Sequence, residues 1–208
     1  MRKIITQNYT EVHKELFDLT TKSTQKYAKK NGFEYISSNV TRCTDEKAEQ
    51  HAGWEKIAWL NEFLPTIEDG SLIVYADCDS IFLTGDLTTA LDPNCELGMV
   101  KLRGGMDGAE VLNWFNTGVI VLLNTPDVRN FLLKLWNISD MNEEIALRKE
   151  LKASNNVFGR NKSICNLEPQ WNCWGNNEKF VTIPFIKTFH GMSLENKIAA
   201  IKSYLRLS

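Results

Sequence analysis

The stretch Ser71-Leu-Ile-Val-Tyr-Ala-Asp77-Cys-Asp79-Ser-Ile-Phe82 constrains this chain more than any other: an unbroken apolar run ends in two carboxylates one residue apart. A strand buried on both faces reads as such a run, the pattern of a parallel sheet covered by helices. In open sheets of that kind ligands bind beyond the carboxyl ends of the strands, where Asp77 and Asp79 stand. Residues i and i+2 of an extended segment face the same way, so the two carboxylates can converge on one cation. Two anions that close repel unless a cation neutralises them. Hard oxygen ligands suit Mg²⁺ or Mn²⁺, which keep positions open for phosphate oxygens. The plain alternative is a pair of solvated turn aspartates; the apolar lead-in from Leu72 to Ala76 favours the metal site.

A chain of 208 residues suffices for one sizeable domain and is short for two, and no linker or internal repeat divides it. With 43% hydrophobic and 24% charged residues, the composition is that of an ordinary soluble enzyme. A net charge of −2 gives no electrostatic reason to bind nucleic acid or an anionic membrane. No segment approaches the roughly 18 consecutive apolar residues of a membrane span, and Met1 to Asn8 has basic residues without the apolar core of a secretory signal. The five cysteines (Cys43, Cys78, Cys95, Cys165, Cys173) are odd in number and scattered, without a C-x-x-C pair. That usage predicts reduced thiols in a cytoplasm and argues against zinc.

Lys3 to Thr6 reads as a short strand, Glu11 to Lys30 as a helix closed by Asn31-Gly32, and Phe33 to Ser37 as a second strand. Gly53 to Leu64 reads as an amphipathic helix stopped by Pro65 just before the Asp-x-Asp strand. Further strands are expected at Leu97 to Leu102, at Trp114 to Leu123 in the sheet centre, and at Phe180 to Ile183. Further helices are expected at Asp127 to Trp136, at Asn142 to Lys152, and at the end, marked by Leu194, Ile198, Ile201 and Leu205. The three glycines of Arg103 to Gly108 suggest a loop, and Ser154 to Asn177 has no defensible period. Alternating strands and helices predict an α/β protein: a single three-layer α/β/α domain with a mostly parallel central sheet.

Several separated segments then agree with one family. Tyr27-Ala-Lys-Lys-Asn-Gly-Phe33 is similar to its "YA..HGY" element, and Trp54-Glu-Lys56 stands on the helix before the metal strand. Tyr75-Ala-Asp-Cys-Asp-Ser-Ile-Phe82 matches its "W-x-D-x-D" strand end, with tyrosine at the aromatic position. Asn116-Thr-Gly-Val-Ile-Val-Leu-Leu-Asn124 matches its "NTG" strand, Glu143-Glu-Ile-Ala-Leu147 its "DQ-x-AL" or "EQ-x-AL" helix, and Phe189-His-Gly191 the place of a late metal-binding histidine. In that order, the pieces resemble the nucleotide-sugar-dependent glycosyltransferases of the A-type fold, and within them the retaining galactosyl-, mannosyl- and xylosyltransferases. Glu144 stands where the family usually has glutamine. The family's common N-terminal membrane anchor is missing, which points to a bacterial or viral cytoplasmic form.

The resemblance implies one glycosyltransferase domain over residues 1–208, with a nucleotide-binding half up to about residue 82 and an acceptor-binding half after it. It implies a nucleotide-sugar donor, UDP-sugar ahead of GDP-mannose, and a glycan or other hydroxyl acceptor. Asp77, Asp79 and His190 are the expected ligands of a divalent ion, and an imidazole beside two carboxylates tilts the choice from Mg²⁺ to Mn²⁺. Lys197 and Lys56 are expected to meet the donor, although an ordinary solvated lysine is the alternative for each. Gly191 would allow the backbone close to a pyrophosphate. Thr6, Gln7 and Tyr9 end the first strand where base and ribose contacts cluster, and Cys78 would lie against the ribose or serve as a small buried hydrophobe. Asn116 would hold sugar hydroxyls through an amide that both donates and accepts. Glu144 would sit near the anomeric centre, or be first-turn acidic charge on a helix. Trp171, Asn172 and Trp174 would form an acceptor platform, or pack in the core. His13 and His51 read as ordinary loop histidines. Retention needs no dedicated base, whereas inversion would need Asp107 or Glu144. Two rival readings remain: a haloacid-dehalogenase-like phosphatase, whose Asp-x-Asp opens its domain, and a non-catalytic nucleotide- or sugar-binding module.

Overall fold

In a computed structural model of the protein, described for residues 1–43, 53–103, 110–138, 143–153, 157–158, 162–174, 178 and 181–207, the apolar run Leu72–Ala76 is strand β3, buried along its whole length. Before it come β1 (Lys3–Asn8), α1 (Lys14–Asn31), β2 (Glu34–Ser38) and α2 (Trp54–Phe63). After it come β4 (Ser80–Phe82), β5 (Leu97–Arg103), β6 (Glu110–Leu123), α3 (Pro126–Trp136) and α4 (Glu143–Ala153). The chain ends through β7 (Val157–Phe158), β8 (Lys162–Asn166), a 3-10 turn at Pro169–Asn172, β9 (Ile186–Thr188) and α5 (Leu194–Leu207).

Seven strands form one sheet in the order β2-β1-β3-β6-β5-β8-β7, and β4 and β9 form a separate pair. β1 runs parallel to β2 and β3, and β5 parallel to β8. β6 is antiparallel to both its neighbours and β7 to β8, so five of the seven strands point one way. β6 is central, as its apolar run predicts, but reversed: the few residues between Arg103 and Glu110 allow a hairpin-like return and are too few for a parallel crossover.

Both faces of the sheet are covered, which is why β3 carries no polar alternation. Ile73 and Tyr75 face one core with Trp54, Ile57 and Leu60 of α2, Phe131 and Leu135 of α3, and Leu147 of α4. Leu72, Val74 and Ala76 face the other, with Tyr27 and Ala28 of α1. Each fully buried aliphatic side chain of this kind contributes about 1.5–3 kcal/mol relative to exposure. Helix ends follow the sequence signals. α1 stops where Gly32 takes the left-handed conformation (φ 68°), and α3 starts where the Thr125 hydroxyl accepts the Val128 N–H with Pro126 in the first turn.

Two expectations are corrected. Residues 181–183 are not a strand; the late strand is β9, beyond Pro184, whose missing N–H breaks the ladder there. Not all thiols are free: Cys95 and Cys165 form a disulfide with Cα atoms 6.1 Å apart, inside the range such a bond spans. The β5–β8 pairing, which sets Gly98 opposite Cys165, brings together cysteines 70 residues apart, and no local pattern announces that. Cys43, Cys78 and Cys173 are in no disulfide. Asp107, His51 and the glycine-rich segment 104–108 lie outside the described residues. Among the described residues no helix is long and apolar enough to cross a membrane.

Candidate metal centre

β3 ends one residue before Asp77, which begins a tight turn: its N–H donates to the Gly118 carbonyl (2.8 Å), and its own carbonyl accepts the Ser80 N–H (3.1 Å). The turn leads into β4, and antiparallel pairing of Ser80 with Thr188 brings the end of β9, and with it His190, back to the same place. One ligand atom each from Asp77, Asp79 and His190 lies within 4.8 Å of the others, as the resemblance implies.

Opposite charges surround the pair of acids. The Lys56 ammonium, buried within α2, is 3.0 Å from both Asp77 carboxylate oxygens and also donates to the Thr117 carbonyl and hydroxyl. Burial works against its charge, but Asp77 and Glu143 together hold its pKa above the ordinary lysine value. Lys197 of α5 donates to Asp79 Oδ2 at 2.6 Å, and His190 Nδ1 lies 3.6 Å from the same oxygen. Burial pushes the Asp79 carboxyl up, while His190 and Lys197 outweigh it and hold the carboxyl below its usual range.

Asp79 Oδ1 and His190 Nε2 are buried without a hydrogen-bond partner. Buried polar atoms normally find partners, so two orphans in one acid–imidazole cluster fit a site for a divalent ion. Gly118 makes room for the histidine. A Cβ there would lie 2.1 Å from His190 Nε2. Gly118→Ala is therefore expected to push the imidazole out of the cluster and weaken Mn²⁺ binding about 10-fold or more, as measured by calorimetry; unchanged affinity would contradict the assignment of His190.

A cavity of about 140 Å³ opens on the acids, lined among others by Tyr9, His13, Lys56, Cys78 and Lys197. Tyr9 stacks on Phe17 with ring centroids 3.9 Å apart. His13, read from sequence as an ordinary loop residue, lines this cavity too. Burial raises the Cys78 thiol pKa, which suits a packing surface and not a nucleophile. Thr6 and Gln7 do not line it: both are fully buried, Thr6 accepting from the Trp59 indole (2.9 Å) and Gln7 donating to the Asp77 carbonyl (3.1 Å). Gln7 thus supports the Asp77 turn, and Thr6 ties β1 to α2.

Asn116 and Glu144 come to the site on β6 and α4. Glu144 Oε1 accepts the Thr117 N–H, and burial raises its carboxyl pKa. Trp171 and Asn172 present no platform: Trp171 is 5% exposed and packs on Phe185, and Asn172 is wholly buried and donates to Asn116. Of the alternatives for the expected acceptor set, core packing is what the structure gives these two. Trp174 packs edge-on against the His190 ring. Gly191 adopts φ 74° and a Cβ there would meet nothing within 4 Å, so backbone conformation accounts for the glycine.

Sequence reasoning missed three supports. Tyr75 places its hydroxyl 3.0 Å from Asp77 Oδ1, Thr117 donates its hydroxyl to Glu143 Oε1, and Glu143 stands 3.9 Å from the Lys56 ammonium. Gly53 admits the Glu143 carboxylate, since a Cβ would lie 2.0 Å from it. The available signal was that Tyr75, Thr117 and Glu143 lie inside the matched motif segments.

No family model matches the sequence, and neither does any curated protein. Solved structures do match. A glycosyltransferase involved in the glycosylation of the major capsid of PBCV-1 superposes with a TM-score of 0.69 over 98% of this chain and 100% of its own, at 15% identity. The galactosyltransferase LgtC superposes with 0.60 over 96% and 95%, at 12% identity. GlyE from Streptococcus pneumoniae superposes with 0.57 over 99% of this chain and 64% of its own, at 14% identity. The chain therefore has the A-type glycosyltransferase fold.

Proposed function

We propose that the protein is a metal-dependent glycosyltransferase that moves a hexose or pentose from a nucleotide-diphosphate sugar, UDP-linked ahead of GDP-mannose, to a hydroxyl of a glycan acceptor with retention of configuration. The observation that carries this reading is the convergence of Asp77, Asp79 and His190 beside a cavity that both acids line, with Asp79 Oδ1 and His190 Nε2 left unpaired. It gains support from the fold, which is that of known glycosyltransferases.

Mn²⁺ bound at this site would stabilise the negative charge that grows on the diphosphate as the glycosidic bond breaks. Asp77 and Asp79 would hold it through oxygen and His190 through nitrogen. Lys56, ion-paired with Asp77 at 3.0 Å, would hold that carboxylate in place beside the donor. Lys197, now on Asp79, has an ammonium within reach of any anion entering the cavity and would bear part of the diphosphate charge. Tyr9 and Cys78 offer surface to the nucleoside. Glu144, a half-exposed carboxylate on α4, would stabilise positive charge at the anomeric carbon or hold the acceptor hydroxyl. With same-face attack, the departing phosphate takes the acceptor's proton and no separate base is needed.

Calorimetric titration with UDP, GDP and their sugars, with and without Mn²⁺, followed by a turnover assay over an acceptor panel, tests this. Binding should require Mn²⁺ and be followed by transfer or slow donor hydrolysis; metal-independent binding, or binding without either reaction, would reject it. Lys197→Ala should lower affinity for UDP about 10–100-fold while leaving uridine binding almost unchanged, because a charge-assisted hydrogen bond to phosphate is lost. Equal losses for both would remove Lys197 from the phosphate site.

A further inference from the structure

Asn116 opens the "NTG" segment, and an amide at the edge of a sugar site can ordinarily turn either end toward a ligand. Here its rotation is blocked. The Gly118 N–H, which can only donate, lies 2.8 Å from Asn116 Oδ1, and this identifies the inward end as oxygen. The Asn172 side-chain nitrogen lies 2.6 Å from the same oxygen, so two donors fill both of its lone pairs. Facing Asn116 with nitrogen, Asn172 must turn its own oxygen away, and there the Thr188 hydroxyl donates to it at 2.8 Å. Asn116, Asn172 and Thr188 are 7%, 0% and 1% exposed. Rotating the Asn116 amide would set its NH₂ against two other donors in a buried place, where unmade hydrogen bonds are costly. Its Nδ2 has no hydrogen-bond partner among the described residues and is not among the fully buried unpaired atoms.

We propose that Asn172 and Thr188 are positioning residues that fix the Asn116 amide oxygen-inward, so that the site presents an obligate hydrogen-bond donor, and no amide acceptor, to an oxygen of the sugar being transferred. The sugar as ligand rests on the function proposed above; the fixed amide rests on the geometry alone. The device joins three parts of the fold, since Asn116 is on β6, Asn172 on the 3-10 turn and Thr188 on β9, two residues before His190. A free hydroxyl can donate or accept, but against this amide it must accept. The site would thereby prefer sugars with an oxygen at that point over those with an amine.

The test has two arms. In the free protein, side-chain amide exchange measured by NMR should be slow for the Asn172 NH₂ and fast for the Asn116 NH₂; the reverse pattern would overturn the proposal. In the second arm, Thr188→Val and Asn172→Asp should lower Mn²⁺-dependent affinity for UDP-glucose or UDP-galactose about tenfold while affinity for UDP stays near wild type. Thr188→Ser, which keeps the hydroxyl, should restore sugar affinity, and Asn116→Asp, which keeps the inward acceptor, should preserve the melting temperature yet lose the sugar preference. Equal losses for UDP and UDP-sugar would overturn the positioning role. If the unaltered protein bound no nucleotide sugar at all, the donor reading would fail, while the exchange pattern would still judge the fixed amide.

Discussion

Lys56→Met is expected to destabilise the fold by about 3–5 kcal/mol, because it removes the cation from a buried group and strands the remaining charges. The methionine is close in volume, so little of the loss would come from packing. Lys56 is 5% exposed, and its ammonium is the partner of Asp77 and a neighbour of Glu143, whose Oε2 already lacks a hydrogen bond. Without it the carboxylates of Asp77, in the turn after β3, and Glu143, on α4, lose the cation they share. For a chain of this length the loss corresponds to a fall in melting temperature of roughly 6–20 °C at neutral pH. Thermal unfolding followed by circular dichroism reads this directly. A fall of no more than about 2 °C would mean that the ion pair is not held in the buried form described, since breaking a surface pair costs only about 0–1 kcal/mol.

Asp79→Ala is expected to act in the opposite way, on binding more than on folding. The carboxylate has one oxygen on Lys197 and the other unpaired, and it is the acid to which His190 Nδ1 lies close. Removing it should reduce Mn²⁺-dependent UDP binding at least about 100-fold, more than the 10–100-fold that loss of a mere supporting group costs. The fold should survive, because the Lys197 side chain is about one-fifth exposed and its ammonium can turn to water. Calorimetry with UDP and Mn²⁺ checks the first half and thermal unfolding the second. Unchanged UDP affinity would exclude Asp79 as a ligand.

Where burial and chain direction follow from local pattern, the sequence was legible. Leu72 to Ala76 could be read as a strand covered on both faces because both cores draw on it alternately. The Asn31-Gly32 stop could be read because only a left-handed residue closes a helix that way. The reversal of β6 was not legible, since an apolar run has no direction. Asp77 and Asp79 announced themselves by their place at the strand end, whereas His190 did so only through resemblance, because the β4–β9 pairing that delivers it joins segments more than 100 residues apart. For Trp171 and Asn172 the choice between acceptor platform and core packing stayed open in the sequence for a related reason. An aromatic and an amide in an aperiodic segment suit a sugar and a core equally, and the choice is made by Phe185, Thr188 and Asn116, none of them a sequence neighbour. Of the alternatives for Lys56, the solvated lysine is excluded by its 5% exposure, and the sequence could not show this because its partners Asp77, Thr117 and Glu143 lie 21 or more residues away.

The central claim is that two neighbouring acids and the distant His190 grip one ion. Pulsed electron paramagnetic resonance of the protein with Mn²⁺ and UDP tests it most directly, because a coordinated imidazole couples its nitrogen to the metal. The account predicts a nitrogen coupling in the unaltered protein that disappears in His190→Ala; bound Mn²⁺ without that coupling, or a coupling that persists in the variant, would contradict it.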